Sequence, residues 1–112
     1  MRRRRWLPPV CAAFMLTGVA SLSAAAEPRS AGQSAFVHRC GMCHREGGTG
    51  TYILARRLGP DLSVLEKRRD LKPEYIRYVV RWGLVNMPRL SRVEVPDKDL
   101  DAIAAYLTGP KP

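Results

Sequence analysis

Cys40 and Cys43 stand three positions apart and His44 follows directly, so Cys40-Gly41-Met42-Cys43-His44 gathers three ligating side chains in one short stretch. Residues three and four apart share a helix face, so a single helical turn presents both sulfurs and the imidazole to one object. That spacing suits a c-type haem, with two thioether bonds to the macrocycle and the histidine as an iron ligand beside them. Two other chemistries use the same letters. A thioredoxin-like thiol pair expects a βαβ setting, and no strong strand run lies nearby. A zinc site would have to draw Cys40, Cys43, His44 and His38 from one seven-residue stretch, which crowds tetrahedral geometry.

If a haem is held here, the rest of the chain should serve it. Arg2 to Arg5 precede an apolar run that ends in the small residues Ala24 and Ala26, which marks residues 1–26 as a cleavable signal peptide and places the mature protein in the periplasm. The run is too short and too weakly apolar for a stable membrane span. Cys11 lies ahead of it and is removed with the signal. Residues 27–112 form one small domain whose only cysteines are those of the motif, so no structural disulfide is available. A domain of that size builds a modest core, and a covalent cofactor supplies the missing support. Past Ala26 the chain keeps 15 of its 19 Lys and Arg and all 10 Asp and Glu, a balance of +5. Export excludes nucleic acid, which leaves an anionic surface or an acidic protein as partner, with a plain solvated basic surface as the bland alternative.

Periodicity predicts an all-α fold of three to four helices. A first helix runs from Ser30 or Ala31 into the motif, with Gly32 and Phe36 on the stripe that leads to Cys40. Gly47-Gly48-Thr49-Gly50-Thr51 reads as a break that opens a loop, and Tyr52-Ile53-Leu54-Ala55 as apolar chain laid against the haem. A short helix follows over Asp61 to Arg69, with Leu62 and Leu65 inward. Pro73 then starts a helix carrying Ile76, Val79 and Val80, stopped by Gly83, with Trp82 assigned to the core or the haem wall. A last helix starts near Pro96-Asp97 and ends before Gly109, and its Ile103 and Tyr106 are expected to cross Gly32 and Phe36.

A six-coordinate haem needs a second ligand on its far face. Met42 sits between the cysteines and His38 is two residues upstream of them, so neither reaches across. Met87 has enough intervening chain to wrap the ring, and Pro88 stiffens the backbone after it.

With Cys40, Cys43, His44, Met87-Pro88 and an amphipathic C-terminal helix ending in Tyr106-Leu107, the chain resembles class I c-type cytochromes over nearly all of residues 27–112. The resemblance implies a small cytochrome c fold around one covalent haem c, terminal helices paired through Gly32 and Phe36, and a backbone carbonyl that accepts the His44 ring N–H. That carbonyl is left open between Pro60, in a Gly-Pro-x-Leu stretch that lies unusually far downstream, and the neighbourhood of Thr51. Tyr75 to Leu107 is also similar to the cytochrome subunits of p-cresol methylhydroxylase-type flavocytochromes. The function implied is one-electron transfer from a dehydrogenase with an acidic docking face to a downstream acceptor, with Arg45, Arg89 and Arg92 steering the encounter. Two alternatives stay open: a subunit permanently docked on a flavin- or quinone-dependent dehydrogenase, and an open-site haem protein for peroxidase chemistry or gas binding. No residue stands out as a catalytic acid, base or nucleophile.

Overall fold

In the computed structural model, which describes residues 30–110, Ser30 caps a helix over Ala31–Arg39 (α1), and its hydroxyl oxygen accepts the Gln33 N–H at 3.1 Å. The expected signal peptide and Cys11 lie outside the described residues. Gly32 is there because α1 meets the last helix, Asp97–Thr108 (α5), at very close range. A Cβ on Gly32 would come within 2.3 Å of the Ala102 carbonyl oxygen and 2.7 Å of Tyr106 Cβ. One turn further on, the Phe36 ring is wholly buried and tilts 46° to the Tyr106 ring, with centroids 6.0 Å apart. The glycine lets the backbones approach, and the aromatic pair fills the space beside the crossing.

Pro73–Trp82 (α4) packs on α5 through Ile76 and Val80, which join Phe36, Val95, Leu100, Ile103, Ala104 and Leu107 in the core. Pro73 at its first turn lacks only an N–H that has no intrahelical partner anyway, and Gly83 ends it at φ 76. The Tyr106 hydroxyl donates to Glu66 at 2.6 Å and ties α5 to the middle of the chain.

The all-α reading holds: the described residues form five α-helices and no strand, and an isolated bridge joins Leu84 and Met87. Two local expectations do not hold. The glycine-rich stretch does not open a loop, because Thr49–Leu58 is a helix (α3). Asp61 to Arg69 is not a helix either. It holds two 3-10 turns, Pro60–Leu62 and Leu65–Lys67, and the Ser63 hydroxyl donates to the Pro60 carbonyl at 2.7 Å, one of the side-chain bonds that compete with helix continuation.

Candidate functional site

The motif does not continue α1. Cys40 leaves helical geometry at φ −120°, and Gly41–His44 forms a separate single turn (α2). α3 then lies directly against that turn. A Cβ on Gly48 would stand 2.4 Å from the Cys43 carbonyl oxygen, and one on Gly50 would stand 2.8 Å from that oxygen and 3.1 to 3.2 Å from the His44 ring. These glycines are sites of close approach, which is why a stretch that reads as a helix breaker sits at a helix start. The cost of Gly50 in the helix, about 1 kcal/mol relative to alanine, is met by the contact it permits. Buried Thr51 completes the tie, its hydroxyl donating to the Arg45 carbonyl at 2.8 Å.

A cavity of about 330 Å³ opens between this turn and α4. Cys40, Cys43 and His44 line one part of it and Met87 another, with a mainly apolar wall that includes Ile53, Leu54 and Leu65. Ile53 and Leu54 thus face the site as expected, though from a helix. Met42 reaches the wall but is 90 % exposed, and His38 is exposed on α1 and does not line the cavity. A separate hollow lies among Val37, Met42, Arg45, Glu66 and Lys67, and neither His44 nor Met87 faces it.

Met87 sits in a tight turn. Its N–H donates to the Leu84 carbonyl at 2.9 Å and its carbonyl accepts the Leu84 N–H at 3.0 Å. Val85 in that turn has φ 53, a conformation that crowds a β-branched side chain. Behind Met87, the Leu90 N–H donates to the Val80 carbonyl at 2.7 Å. Arg81 then staples the returning chain to α4: its guanidinium donates to the carbonyls of Leu90 at 3.1 Å and Val95 at 2.8 Å and to the Asp97 carboxylate at 2.7 Å. Sequence reasoning did not give Arg81 this role. The signal was available as an arginine one position before an aromatic helix end, with Asp97 opening the next helix.

The electrostatics favour the haem reading over its rivals. Burial pushes the Cys40 thiol up to about 11, opposite to the lowered value that a reactive redox thiol requires. Burial also lowers the His44 value, so the imidazole is neutral at physiological pH, the form that binds iron. His44 Nδ1 is buried with no hydrogen-bond partner, so neither the Pro60 nor the Thr51 carbonyl receives it here. Among the described residues no group of three or more His, Cys, Asp and Glu side chains is placed to hold a metal ion, so the zinc reading gains no support. Two free cysteines, a half-buried imidazole and Met87 lining the same apolar cavity fit a covalently held haem.

Trp82 departs from expectation. It is 72 % exposed and is part of neither the core nor the cavity wall. Of the three arginines expected to steer a partner, Arg92 is held by Asp97 at 2.9 Å, while Arg45 and Arg89 have no ion pair among the described residues.

The helical fold agrees with a class I monohaem c-type cytochrome, and the family match shows that class. Residues 27–107 match the family described as "Cytochrome C oxidase, cbb3-type, subunit III", and the chain belongs to that family of cytochrome c domains. Membership brings a covalently bound haem c and a role in electron transfer with a redox partner. No curated protein and no solved structure matches the chain. No helix among the described residues is long and apolar enough to cross a membrane.

Proposed function

We propose that the protein is an exported one-electron carrier in which Cys40 and Cys43 hold haem c by thioether bonds and His44 and Met87 are the two axial iron ligands. The observation that carries this reading is the cavity that all four side chains line, with the half-buried His44 imidazole beside it, where burial favours the neutral form. When bound, the haem supplies reversible one-electron chemistry. The chain's share is to grip the ring at two points, keep the imidazole unprotonated, exclude water with an apolar wall and leave no open iron position. A thioether donor favours ferrous iron and an apolar lining disfavours the extra ferric charge, so Met87 and the wall both raise the potential. Met87 lining the same cavity as His44 speaks for this over an open-site peroxidase or gas-binding protein.

The donor we propose is a dehydrogenase with an acidic docking face, and the site of action is the periplasm. Arg2 to Arg5 and the small residues before Glu27 support export, and the mature positive balance supports the acidic partner. A second reading, a subunit permanently docked on a larger redox enzyme, has its own support. The family description names an oxidase subunit. Co-purification with such an enzyme after native expression separates the two.

The ligand set is tested on mature protein from a host that performs haem attachment. The ferric form is expected to have the weak far-red band of a Met–iron bond, and the ferrous form to resist carbon monoxide. Met87→Ala should abolish the band, lower the potential and admit carbon monoxide. Carbon monoxide binding to the unaltered ferrous protein would sink the His44/Met87 assignment.

A further inference from the structure

Among the described residues, three exposed aromatic side chains share one side of α4. An α-helix turns about 100° per residue, so Tyr75, Tyr78 and Trp82 fall in one narrow sector, opposite Ile76 and Val80 in the core. They are 46 %, 58 % and 72 % exposed, and Leu84 and Val85 continue the patch beyond Gly83 at 44 % and 71 %. A lone exposed apolar residue is ordinary, but a contiguous aromatic stripe on a domain this small marks an interaction surface. Tyrosine and tryptophan are also the side chains that most often dominate binding energy at interfaces.

The surroundings of the stripe say what covers it. Lys72 lies one turn before Tyr75, and the Arg89 backbone packs against Gly83, next to Trp82; neither cation has an ion pair among the described residues. Glu74 is the one acidic residue on α4. A second copy would bring like charges together, and an acidic protein would not. Tyr75 and Leu84 also line the cavity, so whatever sits on the stripe borders the site that holds the redox group. We infer that the Tyr75–Tyr78–Trp82 stripe, with Lys72 and Arg89 at its ends, is the docking face for an acidic redox protein. The inference rests on the electron-carrier reading and adds to it the surface through which the electron passes.

The test uses ¹⁵N-labelled ferrous holoprotein titrated with an oxidised, acidic [2Fe–2S] ferredoxin as the probe. Amide shifts are expected to concentrate between residues 72 and 89. Trp82→Ser and Tyr78→Ser alter exposed side chains outside the cavity wall, and each should weaken binding about tenfold. Val93→Ser, at a site 90 % exposed and outside the stripe, should leave binding unchanged. The inference is overturned by absent binding, by shifts that map elsewhere, or by equal losses in V93S and W82S. It is also overturned if W82S instead abolishes a dimer seen by sedimentation, or binding to anionic phospholipid vesicles. In each of those cases a normal haem spectrum with the far-red band keeps the carrier reading intact, whereas protein without that spectrum defeats the carrier reading itself.

Discussion

One wall of the cavity is placed by near neighbours in the chain, the other by distant ones. On the His44 side, Gly48, Gly50 and Thr51 press the next helix onto the motif, and the close approach to the imidazole comes from Gly50, six residues on. On the Met87 side, the turn is closed locally by Leu84, but its position depends on Arg81 reaching to Leu90, Val95 and Asp97 and on the Val80 carbonyl. The histidine wall is built by steric fit and the methionine wall by polar ties. Damage to the two should therefore read out differently, with overpacking costing stability around the motif and loss of hydrogen bonds loosening the Met87 loop.

The largest effect is expected at Arg81. Arg81→Met keeps the bulk but leaves buried carbonyls unpaired, which should cost about 2–4 kcal/mol in urea unfolding of the holoprotein and weaken the far-red band. If the band is untouched, the methionine wall is not held in the way described. Gly50→Ala sharpens the other side: its Cβ would meet the Cys43 carbonyl and the His44 ring, and the expected loss is about 1–2 kcal/mol despite the better helix propensity, with the band retained. Val85→Asn should move the opposite way. Asparagine tolerates positive φ where valine does not, so this exposed site should gain up to about 1 kcal/mol.

The smallest effect is that of Asp97. Hydrogen bonds from Arg81 and then Arg92 hold its carboxyl below the usual range. A depressed carboxyl contributes stability that is complete above the unfolded value, about 4, and is lost as pH falls through the folded value. Asp97→Asn should therefore lower stability slightly at neutral pH, leave it nearly unchanged near pH 3, and so flatten the acid limb of a thermal-stability profile. A variant that destabilises equally at pH 7 and pH 3 would mean that packing, not charge, is what Asp97 provides.

The terminal crossing was legible because its signal is local and redundant: Gly32 and Phe36 on one face, Ile103 and Tyr106 at helical spacing on another. The helix from Pro73 to Gly83 was legible for the same reason. Trp82 was misassigned because large aromatics are usually buried, although its spacing from Tyr75 and Tyr78 already put it opposite Ile76 and Val80. The start of α3 was misread because glycine has two uses, ending a helix and admitting a close neighbour, and only the neighbour's position distinguishes them. Asp61 to Arg69 failed for a smaller reason, a serine hydroxyl that takes a carbonyl from the backbone.

By itself the sequence determined the all-α class and the terminal and fourth helices, since each is written in residue types at fixed spacing along a few turns. Tertiary structure decided that Gly50 lies under the imidazole, that Arg81 carries the methionine loop, and that the side of α4 shared by Tyr75, Tyr78 and Trp82 stays exposed, with Tyr75 at the cavity. Those facts depend on which elements come within a few ångströms of one another, and spacing within one helix does not encode that distance.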